Sequence, residues 1–206
     1  MKKINYLMFC LMATLVSMTF TSCEDEDTHE AMVLSGQWYG DFGMYYEVQD
    51  RYGNWQRFDS YDTDIVFYPD YDYATHGYGK QVDYYRYGPY DYQYYYFNWS
   101  IRNGVVYLTY PHDSNLNTGI YDYRMNNDYF EGRFEGSDTR FSLRKIVDYY
   151  DWSYYNGYGN YYYYPSNYYY DYYYDYPYYA KGRDGKAAPT GNEPAIRRGN
   201  RFTENK

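Results

Sequence analysis

Residues 97–110 read FNWSIRNGVVYLTY, and this stretch decides the fold. Asn103-Gly104 is the turn of a tight β-hairpin, because both central residues of a type I′ turn need positive φ. Counting outward sets Arg102 opposite Val105, Ile101 opposite Val106, Trp99 opposite Leu108 and Phe97 opposite Tyr110. One face then carries Phe97, Trp99, Ile101, Val106, Leu108 and Tyr110. The other carries Asn98, Ser100, Arg102, Val105, Tyr107 and Thr109. One face is suited to burial and the other to water, and a one-residue slip would exchange them.

The same period of two continues on both sides. Upstream, Trp38, Gly40, Phe42, Met44, Tyr46 and Val48 alternate with polar residues and predict one long first strand. A turn at 51–54 lets 55–61 return along it. Asp64–Tyr68 is the next strand, stopped by Pro69. Gly77 and Gly79 suggest a bulge or sharp bend within 73–85. Arg86–Asp91 and Pro111–Asn117 are loops. Downstream, Tyr121, Tyr123 and Met125, then Phe130, Gly132 and Phe134, then Phe141 and Leu143 are the inward sets. No segment shows convincing helical periodicity. The fold class is therefore all-β: a small antiparallel meander of about eight strands, closed as a barrel or folded as a β-sandwich.

Tyrosine dominates the composition, with 41 of 206 residues. It favours strands and tolerates half-burial through its polar tip. Aliphatic residues are scarce and the mean hydropathy is −0.97, so rings must fill the core. The formal charge is −9, and −11 once Lys2 and Lys3 leave with the first 22 residues. That balance argues against nucleic acid as a partner. Both cysteines, Cys10 and Cys23, precede the β-domain, which excludes a disulfide or a cysteine-based zinc site within it.

Met1-Lys2-Lys3, the apolar run Ile4–Phe20 and Thr21-Ser22 read as a secretory signal peptide ending before Cys23. In that reading Cys23 becomes the first residue and carries lipid, with the membrane as its partner. Cys23 followed by Glu24, Asp25, Glu26 and Asp27 resembles the surface-export signal of Bacteroidota lipoproteins. The resemblance implies an outer-membrane lipoprotein facing outside the cell.

A second resemblance rests on the β-domain. Gly36-Gln37-Trp38 matches the Gly-x-Trp of lipocalins. The Trp99-bearing strand, Asn103-Gly104, the strand with Leu108 and the terminal Phe-x-Leu-Arg-Lys at 141–145 resemble Bacteroidales surface lipoproteins with a lipocalin-like barrel. The resemblance implies that Trp38 closes the barrel base, packed by an arginine of the last strand, at Arg144.

The chain thus divides into a signal peptide (1–22), an acidic tether (23–33), a barrel-like domain (34–147), a Tyr-rich low-complexity segment (148–180) and a basic tail (181–206). Residues 149–179 hold 18 tyrosines and no aliphatic residue, and read as disordered. The tail carries seven basic and three acidic residues and reads as a solvated end.

No catalytic motif is present. His29, His76 and His112 share no metal-ligand spacing, and no cofactor is implied. Asp59, Asp62 and Asp64, and Asp70 with Asp72, form acidic clusters without the EF-hand offsets, so they read as solvated loop carboxylates and no metal is expected. The candidate recognition surface is aromatic: Tyr84, Tyr85, Tyr87, Tyr90, Tyr92, Tyr94, Tyr95 and Tyr96 crowd one loop and its flanks. Such rings stack on a glycan or anchor a protein at the cell surface. The alternative is a tyrosine-filled sheet face with no partner. The expected function is a non-enzymatic, surface-anchored binding or scaffold module. A structural or adhesive protein working through the Tyr-rich segment is the other reading.

Overall fold

The structure, a computed structural model, describes residues 22–50, 52–88, 90, 92–146, 152 and 195–203, without the side chains of 22–25. The predicted signal peptide up to residue 21, the Tyr-rich segment apart from Trp152 and the basic tail up to residue 194 lie outside the described residues.

One helix, α1 (Ser22–Leu34), precedes eleven strands among the described residues. They are β1 (Gly36–Asp41), β2 (Met44–Gln49), β3 (Trp55–Asp59), β4 (Asp62–Pro69), β5 (His76–Tyr84), β6 (Tyr92–Arg102), β7 (Val105–Thr109), β8 (Thr118–Met125), β9 (Tyr129–Phe134), β10 (Arg140–Ile146) and β11 (Ile196–Asn200). Eight of them form a closed antiparallel barrel in the order β1-β10-β9-β8-β7-β6-β5-β4, with β1 pairing β4 to close the ring. The barrel expected from the alternation is present, and the sandwich alternative is not. Closure removes the exposed edges of a tyrosine-rich sheet. The remaining three strands make a separate small sheet, β11-β2-β3.

The β6–β7 hairpin has the register counted from its turn: Arg102 pairs Val105, Ile101 pairs Val106 and Trp99 pairs Leu108. Asn103 and Gly104 have φ of 52° and 69°, as a type I′ turn demands. Phe97, Trp99, Ile101, Val106, Leu108 and Tyr110 all join the buried core. Core rings meet edge to face, among them Phe42 with Phe134 and Phe141, and Phe67 with Phe97 and Trp99. Each buried aromatic contributes about 1.5–3 kcal/mol from burial alone. Trp99 donates its indole N–H to the carbonyls of Tyr68 and Tyr78 at 3.2 and 3.1 Å.

Several expectations are corrected. The long first strand breaks at Phe42-Gly43, because Gly43 adopts φ 75° and donates its N–H to the Asp41 carboxylate at 2.9 Å. The chain leaves the barrel there and β2 starts the second sheet. Gly77 and Gly79 make no bulge, since β5 pairs β4 in unbroken register from Asp62–Tyr84 to Pro69–Gly77. They make room instead: a Cβ at Gly79 would collide with the Phe97 ring. The bulge lies in β8, where register shifts between Tyr121 and Arg124 and Asp122 takes φ 46°. One extra residue flips the inward set, so Ile120 is buried, Tyr121 points out, and Tyr123 and Met125 pack on the core. The basic tail is corrected too, since its residues 196–200 form β11 against β2 rather than a solvated end.

The barrel has a closed base and a capped mouth. At the base, α1 lies where a tether was expected. Its Ala31 and Leu34 are buried in the core, and Trp38, fully buried, donates its N–H to the Leu34 carbonyl at 2.7 Å. Asp27 accepts the backbone N–H groups of Asn103 and Gly104 at 3.0 and 3.1 Å, which pins the helix to the hairpin turn. Tyr123 donates its hydroxyl to Glu30, and the Lys145 ammonium donates to the Val33 carbonyl at 2.5 Å. The cation against Trp38 is Lys145, with its ammonium 4.9 Å from the ring centre. Arg144 is not that cation. It pairs with Tyr39 on the outer face and stacks there, because adjacent residues of a strand point to opposite sides. Gly36, at φ 108°, makes the corner from α1 into β1.

Candidate functional site

The inner faces of β4, β5 and β6 are apolar toward the base and polar toward the mouth. Thr63, Gln81, Asp83 and Gln93 are buried there, each at most 2% exposed. Cross-strand pairing sets Asp83 between Thr63 and Gln93, and Gln81 between Ile65 and Tyr95. Asp83 accepts the Thr63 hydroxyl at 2.6 Å and the Gln81 amide at 3.0 Å on both oxygens. Gln81 in turn accepts the Tyr110 hydroxyl at 2.6 Å. Gln93 accepts the Tyr95 hydroxyl at 2.6 Å and the Arg198 Nε–H at 2.7 Å. A polar column therefore runs from inside the barrel to a residue of β11. Burial pushes the Asp83 carboxyl up to about 7, against the lowering effect of Thr63 and Gln81. Burial also pushes the Tyr95 and Tyr110 hydroxyls well up, so both stay protonated donors.

Above this column the β11-β2-β3 sheet caps the mouth. Arg198 reaches Asp113 at 3.4 Å, Arg201 donates to the Ser60 carbonyl at 3.0 Å and pairs with Asp41. Phe202 stacks on Phe134 with ring centres 6.4 Å apart. Between cap and barrel lies a cavity of about 420 Å³. Phe42, Phe134, Tyr45 and Tyr110 give it rings, while Asn115, Glu135, Arg198 and Thr203 give it polar groups. This size falls in the range of small-molecule sites. It carries charges of both signs and donors and acceptors together, which suits a small polar ligand with an apolar face. Rings fill the barrel body beneath it, leaving it unsuited to a long acyl chain.

The predicted aromatic surface is not one surface. Strand alternation on β6 turns Tyr92, Tyr94 and Tyr96 outward and Tyr95 inward, against the core. Tyr85 and Tyr90 are 4% and 2% exposed, buried with Tyr46 and Val48 under the small sheet. Tyr94 is buried beside Val66, Val82 and Trp152, with half-buried Tyr84, Tyr92 and Tyr96 around them. Of the eight, only Tyr87, at 79%, is largely exposed. Asp59, Asp62 and Asp64 are not the solvated loop carboxylates expected: Asp59 ends β3 and pairs with Arg57, while Asp62 and Asp64 share one face of β4, where Asp62 accepts the Tyr39 hydroxyl and buried Asp64 accepts Gln37 and Tyr84. His76 stands 3.4 Å from Asp70 at the base. Among the described residues no three His, Cys, Asp or Glu side chains gather as a metal site. Of the export-signal residues, Asp27 binds the hairpin turn, Glu26 is exposed, and the side chains of Cys23, Glu24 and Asp25 lie outside the described residues.

The polar column was missed although its signal was present. Gln81 and Asp83 continue the inward period of Gly77 and Gly79, so two polar residues stood at core positions. Nothing in the sequence marked Arg198 as the partner of Gln93. No protein-family model, no curated protein and no solved structure matches the chain.

Proposed function

We propose that the chain is a surface-exposed outer-membrane lipoprotein, anchored by lipid on Cys23, whose barrel binds a small polar ligand in the capped mouth. The observation that carries this reading is the cavity of about 420 Å³, whose lining residues Tyr110 and Arg198 hydrogen-bond Gln81 and Gln93 of the buried polar column. The module is non-enzymatic in this reading: among the described residues the cavity lining brings a carboxylate and a guanidinium but no nucleophile with an adjacent base. A free glycan unit, or a polar group at the end of a surface glycan or protein, fits the mixture of rings, amides and charges.

The test uses thermal shift with a panel of free mono- and disaccharides and amino acids, on the wild type and on Asn115→Trp, which fills the cavity from an exposed position of the short 3-10 turn Ser114–Leu116. A probe that raises Tm of the wild type but not of the variant supports the reading. No shift with any probe, or equal shifts in both, removes the cavity from the function. Incorporation of labelled palmitate that persists in Cys23→Ala would remove the anchor.

A structural or adhesive role has its own observation. Trp152, where the Tyr-rich segment begins, is 8% exposed and seated on the outer face with Val66, Val82 and Tyr94. Attachment of cells to a glycan-coated surface that is unchanged after deletion of residues 153–180 would exclude that role.

A further inference from the structure

β11 is attached to the fold only through contacts that another copy of the chain could make equally well. Its backbone completes the edge of β2, from Ile196–Val48 to Asn200–Met44. Ile196 packs on the second core of Tyr46, Val48, Tyr85 and Tyr90. Arg197 lies over the Trp55 ring at 3.8 Å, and Arg198 and Arg201 meet Gln93, Asp113, Asp41 and Ser60. All these partners lie between residues 41 and 113, far from β11 in the chain. The strand is basic and its seat is acidic, so the two attract each other whichever chain supplies them.

Forty-two residues, 153–194, join Trp152 to Ala195. They span at most about 150 Å, several times the width of a small domain. Without β11 the edge of β2 would present unpaired N–H and C=O groups beside an apolar patch, which is a template for another strand. A long connection, a transferable strand and a receiving edge are the elements of strand exchange.

We infer that β11 of one copy seats on β2 of a second copy, linking chains into dimers or head-to-tail assemblies. The exchange goes beyond ligand binding, and it also has a consequence for the site. Arg198, Asn200 and Thr203 line the cavity, so an exchanged strand completes a neighbour's mouth rather than its own. Intramolecular seating competes with an effective concentration on the order of 1 mM, so exchange rises as the local chain density approaches that value. Crowding on a membrane surface favours it.

The test is disulfide trapping in the full chain in detergent, with Cys10 and Cys23 replaced by serine. Gln49 donates to the Ala195 carbonyl and Arg201 to the Gly43 carbonyl, so alternation makes Val48–Ile196 a closely spaced, non-hydrogen-bonded pair. Val48→Cys and Ile196→Cys are made separately and together. The double variant reports seating within a chain or between chains. In a mixture of the two single variants, a disulfide joining positions 48 and 196 forms only across chains. Refolded together at about 1 mM, the mixture is expected to give covalent pairs joined at 48 and 196 by peptide mapping, and at about 1 µM at least tenfold fewer. Absence of that cross-link at 1 mM, while the double variant closes within one chain, overturns the inference. Failure of the double variant to close at all removes β11 from β2 and overturns it as well.

Discussion

Asp83 offers the sharpest test of the polar column. It is fully buried, and burial raises its carboxyl from 3.8 to about 7. The folded state therefore binds a proton that the unfolded state releases between those two values. The stabilising contribution is complete below pH 3.8 and is lost as pH rises through about 7. A rise of that size corresponds to roughly 4 kcal/mol. Asp83→Asn has no such proton to lose. It keeps an oxygen for the Thr63 hydroxyl but sets an NH₂ against the Gln81 amide, which costs about 1–2 kcal/mol. The variant is thus expected to be slightly less stable than the wild type at pH 4.5 and more stable by about 2 kcal/mol at pH 8. Urea unfolding at several pH values, with midpoint and slope fitted at each, reads the difference. Parallel stability curves for the two proteins between pH 4.5 and 8 would refute the argument, because Asp83 would then titrate alike folded and unfolded.

Other substitutions probe the packing. Gly79→Ala places a methyl group against the Phe97 ring and is expected to cost about 1–3 kcal/mol in urea unfolding; Gly104→Ala, where open space surrounds the turn, costs only its positive φ, about 1 kcal/mol. Asp27→Ala leaves two turn amides to solvent, and a loss of about 0.5–1 kcal/mol with earlier amide exchange at Asn103 and Gly104 is expected. Trp38→Ala empties the base and is expected to cost about 3–5 kcal/mol in the same unfolding assay; Trp38→Phe, which keeps most of the volume but not the bond to Leu34, costs less than half of that.

The barrel was legible because alternation and turn chemistry are local signals. Asn103-Gly104 set the hairpin register, and the inward sets of β6, β7, β9 and β10 follow it residue by residue. The break at Gly43 was hidden because Met44, Tyr46 and Val48 keep the period of Trp38 and Phe42, although Tyr46 and Val48 serve a different core. Helix α1 was hidden for a related reason. Its acidic sequence has no continuous apolar stripe, and among its described side chains only Ala31 and Leu34 reach the core. What holds it are bonds to Asn103, Gly104, Tyr123 and Lys145, all remote in sequence. The candidate site was illegible in its decisive partner, since Arg198 meets Gln93 across 105 positions. The run at 92–96 looked like one surface because tyrosine serves equally well on either face of a strand.

The packing of α1 gives the molecule a built-in posture. The helix is 13 residues long, about 20 Å, and it is fastened to the underside of the barrel rather than swinging from it. With lipid on Cys23, in its first turn, little slack would remain between bilayer and barrel. The molecule would then stand like a post set in its footing, with its lower pole toward the headgroups and its capped mouth at the far pole. Neighbouring copies would share that upright heading, so their mouths and their exchangeable strands would meet at one common height above the membrane.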